Sequence, residues 1–175
     1  RALRSAKPDI IACSLSGFGQ DGPYREYTGA VSVLMAASGM DHLWRRRAVR
    51  AMPIDGWIAD WCAGTGALAR AYLRRRGTTG RVVMCDFSSE MRRLSDSVFT
   101  SEERKRVLYV CCDVTKPPFR DGVFSGQMMG FSIRNLTSRP AFFAEARRCG
   151  TSAGQGALLD LSNPRFRPRR WLCRF

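Results

Sequence analysis

From about residue 54 onward, short apolar runs alternate with amphipathic stretches. Residues 57–61 (WIADW) are brief and mostly apolar, and they pass into the turn Ala63-Gly64-Thr65-Gly66, a pattern that predicts a buried strand and a tight strand-to-helix turn. Residues 67–76 have helical composition and stop at Gly77, a residue that readily ends a helix. Residues 81–85 (RVVMC) predict a second buried strand, closed by Asp86. Ser88 is placed to cap the next helix, with Met91, Leu94 and Val98 on one face and Arg92, Arg93 and Asp96 on the other. Residues 107–112 predict a third strand, 123–131 a glycine-interrupted fourth and 156–161 a fifth. Thr137 or Ser138 opens a helix that runs through Arg148. Such alternation implies right-handed crossovers and an α/β fold, a parallel sheet with helices on both faces. Ligands of such sheets bind beyond the carboxyl ends of the strands.

The first fifty residues do not share this rhythm. Residues 10–15 read as a strand and 16–24 as a loop rich in glycine, and 32–40 and 43–52 read as two helices leading into the α/β unit. No internal repeat is visible, and the one biased tract is the basic tail, residues 165–170.

Composition narrows the class. A chain of 175 residues with 45% hydrophobic and 25% charged residues is neither disordered nor fibrous and is long enough to bury a core. No apolar run reaches the roughly 18–20 residues of a membrane span, and no secretory leader opens the chain, so we expect a soluble, cytoplasmic protein. It begins with Arg1 rather than Met and stops just after the basic run, which reads as a piece of something longer. Lys and Arg number 29 and Asp and Glu 15, giving 29 − 15 = +14, yet only Lys7, Lys105 and Lys116 are lysines. Biased coding produces such an arginine excess as readily as phosphate binding does, so the charge by itself does not indicate nucleic acid; some attraction to anionic surfaces remains. Seven scattered cysteines without a C-x-x-C pair, and His42 as the only histidine, argue against both a metal site and a disulfide scaffold. His42 sits among Trp44 and Arg45–Arg47 in a helical stretch, where a solvent-facing role is the simpler reading than catalysis.

The chemistry collects at the strand ends. The first strand runs Asp60-Trp61-Cys62-Ala63-Gly64-Thr65-Gly66, the second ends at Asp86, twenty residues past Gly66, and the third ends at Asp113. Glycines at such a turn let a ligand approach backbone N–H groups, and an acid about twenty residues later reaches ribose hydroxyls. The third glycine of a dinucleotide fingerprint is missing, and a carboxylate at Asp60 would repel pyrophosphate while suiting an ammonium group. A ligand with an amino-acid end, a ribose and an adenine, S-adenosylmethionine, fits that pattern. On this reading Asp86 takes the ribose hydroxyls, and Asp113 with the backbone of Val114 flanks the adenine. Any tight strand-helix turn could give G-T-G, and Asp86 or Asp113 alone is as consistent with an ordinary cap or loop; three such features at successive strand ends are not easily accidental.

The stretches SGMDHLWRRRAV (38–49), IADWCAGTGALA (58–69), VVMCDFSSEM (82–91), CDVTKPPFRDGVF (112–124), GFSIRNLTSRPAFFAEARR (130–148) and LLDLSNP (158–164) lie in an order and spacing that resemble the ubiquinone/menaquinone biosynthesis C-methyltransferases. The resemblance covers residues 32–175 and implies a Rossmann-like class I methyltransferase sheet, incomplete at its C-terminus. It implies cofactor contacts at Thr65, Asp86, Asp113 and Val114, with Gly64 and Gly66 shaping the turn and Gly130 where members often present a serine. Arg134 and Asn135 match an Arg-Asn pair that faces the transfer site, so the resemblance gives them the catalytic role. The sequence departs from the family at Ser125, where an Asp is usual, and at residues 148–154 (RCGTSAG). Residues 7–29 resemble instead a segment of the family III CoA-transferases, without the region that carries that family's catalytic aspartate. The expected organisation is therefore a CoA-transferase-like segment, 1–29, followed by a methyltransferase domain, 30–175.

The function so implied is S-adenosylmethionine-dependent C-methylation of a prenylated quinol. A lipid-like substrate implies peripheral contact with an anionic membrane at its inner face, for which residues 165–170 followed by Trp171, Leu172 and Phe175 are suited. Two alternatives stay open: an RNA methyltransferase, against which stands the lack of an N-P-P-Y-like element, and a nonenzymatic remnant or fusion fragment keeping only the cofactor-binding fold. Oligomeric state is not fixed by the sequence.

Overall fold

The computed structural model describes residues 40–160. The strand expected at 10–15, the loop at 16–24, the CoA-transferase-like segment and the basic tail lie outside the described residues. The chain divides into two units, residues 1–43 and 44–175, and the fold below is that of the second.

Helix α1 (Met40–Arg50) leads into β1 (Trp57–Trp61), then α2 (Ala67–Leu73), β2 (Arg81–Asp86), α3 (Ser89–Ser95), α4 (Ser101–Arg104), β3 (Val107–Cys111) and β4 (Phe124–Gly130). A 3₁₀ turn (Ile133–Asn135), α5 (Arg139–Cys149) and β5 (Gly150–Leu159) follow. The five strands form one parallel sheet in the order β3-β2-β1-β4-β5. The order reverses beside β1, so the turn that leaves β1 opens at the switch point where such sheets hold ligands.

Alternation along the strands builds a core on each face. Ile58, Val82, Met84 and Met128 point to one side, where Val49, Leu68, Ala69 and Tyr72 pack on them. Ala59, Trp61, Val83, Cys85 and Met129 point to the other and meet Phe124, Phe142 and Cys149. Strands buried on both faces carry the near-continuous apolar runs seen in the sequence.

Four elements differ from expectation. Helix α1 runs unbroken from Met40 to Arg50, across the break expected between the helices at 32–40 and 43–52, and residues 32–39 lie outside the described residues. Helix α2 stops at Leu73, three residues early, and the chain turns through Arg74 to Gly77, whose φ of 76° only glycine adopts freely. Helix α3 ends at Ser95, whose hydroxyl donates to the Arg92 carbonyl at 2.6 Å, and Leu94 is 45% exposed rather than inward. Thr100 then starts α4 with a capping box, exchanging hydrogen bonds with Glu103. Strand β5 begins at Gly150, six residues before the expected start. Its first half, GTSAGQ, has no apolar alternation to read, and register with β4 alone makes it a strand.

Candidate functional site

Beyond Trp61 the chain leaves β1 with two residues in left-handed conformation, Cys62 (φ 52°) and Gly64 (φ 54°), and Gly66 (φ 87°) starts α2. Ala63 donates its N–H to the Cys85 carbonyl at 3.0 Å, fastening the turn to β2. The two glycines serve different ends. A Cβ on Gly66 would lie 2.6 Å from the Phe99 ring and 2.7 Å from Met84, so the position is a packing constraint. A Cβ on Gly64 would meet nothing within 4 Å, so the backbone there faces open space.

Asp86 ties this turn to the next one. One carboxylate oxygen accepts the Gly64 N–H at 2.8 Å and the other the Ser88 N–H at 3.0 Å. Ser88 in turn caps α3 by accepting from Met91 N–H. A carboxylate 8% exposed is thus held by two backbone donors, with lone pairs left toward a cavity of about 520 Å³. That volume lies within the range of small-molecule sites. Gly64, Asp86, Phe87, Asp113, Val114 and Asn135 line it, with Cys62, Cys112, Thr115 and, from the loop after β4, Ser132, Leu136 and Thr137 completing the wall. A second, more open groove of about 390 Å³, flanked by Trp61, Phe142, Phe143 and Leu158, holds none of the strand-end acids.

Asp60 has a different place. Its carboxylate is fully buried beneath the turn, accepts the Ala69 N–H of α2 at 3.0 Å, and is not part of the cavity wall. It satisfies a first-turn N–H that the helix leaves without an internal partner. Burial pushes its pKa from 3.8 up to about 7; the Ala69 N–H and Arg45 draw it down, and the charge of Asp86 adds to the rise. The unfolded chain therefore binds fewer protons than the native one between about pH 4 and pH 7, and this group's effect on stability declines as pH rises through that window. Asp60→Asn keeps an acceptor for Ala69 without the charge. We expect its stability relative to the wild type to improve between pH 4 and pH 8 by on the order of a few kcal/mol, read by urea melts across that range. A pH-independent difference would contradict the buried-carboxyl assignment.

The other anticipated residues divide similarly. Asp113 is exposed at the rim, and one carboxylate oxygen accepts both the N–H and the hydroxyl of Thr115 at 2.8 Å, which holds its pKa below the usual range. Val114 is buried and lines the cavity. Thr65 stands in the turn and Gly130 at the end of β4, where a Cβ would come 2.9 Å from Leu68; neither lines the cavity. Asn135 lines it, whereas Arg134 turns aside, 3.6 Å from the Asp160 carboxylate and 3.5 Å from the Phe131 carbonyl. Sequence reasoning missed Cys62, Phe87 and Cys112 as lining residues. Each directly adjoins a strand end or its acid, and that position is the signal that could have found them. Among the described residues no group of three or more His, Cys, Asp or Glu side chains is placed to hold a metal ion.

Acids without a basic counterpart in the cavity wall suit a ligand rich in hydroxyls or bearing positive charge, not a phosphate. The sequence profile of the ubiE/COQ5 methyltransferase family matches residues 25–170. A 2-phytyl-1,4-naphtoquinone methyltransferase of Thermosynechococcus vestitus is 32% identical over 128 residues, which is 72% of this chain and 56% of that protein. The ubiquinone/menaquinone biosynthesis C-methyltransferase UbiE of Cupriavidus necator is 30% identical over 131 residues, 73% of this chain and 53% of that protein. The chain thus spans little more than half the length of these relatives. Among solved structures, a SAM-dependent methyltransferase from Aquifex aeolicus superposes with a TM-score of 0.63 at 17% identity, covering 74% of this chain and 70% of that one. Geranyl diphosphate C-methyltransferase from Streptomyces coelicolor A3(2) gives 0.60 at 18% identity, with coverages of 73% and 48%. Those superpositions show the Rossmann-like class I methyltransferase fold. The profile match runs through every strand of this sheet, and on it we place the chain in the ubiE/COQ5 methyltransferase family.

Proposed function

We propose that this chain binds S-adenosylmethionine in the cavity at the strand ends and serves methyl transfer to a ring carbon of a prenylated quinol. The observation that carries this reading is Asp86, a nearly buried carboxylate fixed by two backbone N–H groups at a cavity into which the Gly64 backbone opens. Asp86 would take the ribose hydroxyls by charge-assisted hydrogen bonds, and Val114 and Phe87 would offer an apolar wall to the adenine beside Asp113. Asp60 would act from beneath, holding the N-terminus of α2 and so the shape of the turn. When bound, the cofactor supplies an electrophilic methyl group on a sulfonium.

A quinol ring carbon is a weak nucleophile until the neighbouring hydroxyl loses its proton, so the chain's share is to stabilise that oxygen and align the ring. Asn135 lines the cavity, and Arg134 beside it carries the guanidinium suited to a phenolate. Swinging Arg134 toward the substrate costs little, because its contact with Asp160 is long and its side chain is 43% exposed. Relatives named as a 2-phytyl-1,4-naphtoquinone methyltransferase and a ubiquinone/menaquinone biosynthesis C-methyltransferase support a lipid-like acceptor.

A prenylated acceptor resides in the bilayer. Among the described residues no helix is long and apolar enough to cross a membrane, and the basic run 165–170 with Trp171 and Leu172 is our candidate for peripheral contact. The test is transfer of radiolabelled methyl to a prenylated quinol carried in vesicles. Arg134→Ala should lower kcat by about 10²–10³ with KM for the cofactor unchanged. Transfer from anionic vesicles should weaken with salt and on truncation after Pro164. Unaltered kcat in Arg134→Ala would remove that residue from the reaction, and equal use of neutral vesicles would remove the tail from the membrane contact.

A further inference from the structure

Basic charge is not spread evenly along the described chain. Residues 44–85 hold nine arginines against two acids, Asp55 and Asp60, and Asp60 is buried. Residues 86–160 hold eleven basic residues against nine acids. Biased coding raises arginine throughout a chain but does not strip the acids from one part of it. The excess collects on α1 and the turn that follows α2. Val49 of α1 is buried and Ala48 packs on the same core, so Arg46, Arg47 and Arg50 stand on the opposite, exposed side of the helix. The side chains of these three and of the exposed Arg76 make no ion pair or hydrogen bond among the described residues. We infer that this face is a docking surface for an anionic lipid bilayer, with Trp44 and Ile54 as the apolar groups that enter the bilayer interface.

The two elements are fastened to each other. Arg75 reaches back from the turn after α2, and its Nη1 donates to the Val49 carbonyl at 2.9 Å and to the Met52 carbonyl at 2.6 Å. A cation is favoured there, at the C-terminal end of α1. The contact brings Arg76 to the same end of the helix as Arg50. Nearer the start of α1, the Arg45 guanidinium lies over the Phe131 ring at 6.0 Å, and Phe131 directly precedes Ser132 of the cavity wall. The helix thus starts beside the cavity and carries its exposed arginines away from it. Trp44 is 45% exposed near the start of α1 and Ile54 50% exposed just past its end. Guanidinium groups pair with lipid phosphates, and an indole suits the boundary between headgroups and chains.

The choice of a bilayer over a nucleic acid rests on the proposed function, because a prenylated acceptor has to be met at a membrane. The surface itself points the same way. Proteins that hold single-stranded nucleic acid set out several aromatic rings for stacking, whereas Trp44 is a single exposed ring and its companion Ile54 offers no stacking face. Docking through α1 sets the loop after β4, and with it the cavity wall, next to the lipid. This surface is separate from the basic run 165–170, and the attraction of the two to an anionic leaflet adds.

The experiment is cosedimentation of the full chain with vesicles of mixed phosphatidylglycerol and phosphatidylcholine. Arg46→Ala, Arg47→Ala and Arg50→Ala together should weaken binding by about 100-fold, since each cation near an anionic leaflet contributes about fivefold. Alanine favours the helix, so the fold is kept, and thermal melts check it. Arg92→Ala, Arg93→Ala and Arg120→Ala remove the same charge from exposed positions elsewhere and should weaken binding less than about tenfold. Brominated lipid should quench tryptophan emission in the bound chain, and Trp44→Phe should remove most of that quenching. Equal losses in the two triple variants, or quenching unchanged in Trp44→Phe, would overturn the inference. A triple α1 variant that keeps its vesicle binding but loses retention of single-stranded RNA would overturn it in favour of nucleic acid. Vesicle binding that depends on α1, in a folded chain that gives no heat with S-adenosylhomocysteine, would leave the surface standing and contradict the cofactor reading. Cofactor binding without vesicle binding would do the reverse.

Discussion

Asp86→Ala should abolish measurable cofactor binding while leaving the sheet folded. The alanine removes a charge-assisted contact to the ligand, about 1.5–3 kcal/mol or a 10- to 150-fold loss of affinity. It also leaves the N–H groups of Gly64 and Ser88 without their acceptor, which loosens the turn that the ligand must approach. The two effects act on the same site, so the loss of affinity should exceed the contact alone. Asp86→Asn separates them. Its one carbonyl oxygen can hold Gly64 or Ser88 but not both, so the asparagine variant should melt between wild type and alanine and still bind poorly. Calorimetric titration with S-adenosylhomocysteine reads the affinity, and thermal melts read the fold. Wild-type affinity in Asp86→Ala would remove this carboxylate from the site.

The largest stability effect should come from Trp61→Ala. Trp61 is 1% exposed at the end of β1 and stands edge-on to Phe119, Phe124 and Phe142 at 5.7–6.0 Å between ring centroids. Its indole N–H donates to Gln127 Oε1 at 3.0 Å, and Gln127 Nε2 donates onward to the Ala146 carbonyl at 2.9 Å. One side chain thereby joins β1, β4 and α5 on the face opposite α2. Truncation leaves a large cavity and an unpaired acceptor, together about 3–5 kcal/mol. For a domain of this size that is a drop of roughly 6–20 °C in Tm. Trp61→Phe restores the apolar volume in part but not the donor, and should recover more than half of the loss. A Tm within 2–3 °C of wild type in Trp61→Ala would mean that the α5 face does not depend on this ring.

The strands nearest the site were legible because they are buried on both faces. The run WIADW is β1 residue for residue, and RVVMC falls one residue short of β2. Ser88 and Ser138 both cap their helices as their residue type suggested. What failed to show was whatever depends on partners distant in the chain. Leu94 reads as a core position, but it stands 45% exposed in the last turn of α3, where the neighbouring Ser95 is the buried residue and its hydroxyl bonds back to Arg92. The opening of β5 is written in small polar residues, and only the β4 edge makes it a strand. Asp60 has the residue type that an ammonium would select, yet its position one step before Trp61 points it under the turn, where Ala69 claims it.

Titration calorimetry of the 175-residue chain with S-adenosylhomocysteine asks whether the cavity beside Asp86 holds the nucleoside end of S-adenosylmethionine. Saturable binding is expected at one site per chain, competed by S-adenosylmethionine and lost in Asp86→Ala. A chain that melts cooperatively and yet gives no saturable heat with either compound would contradict it.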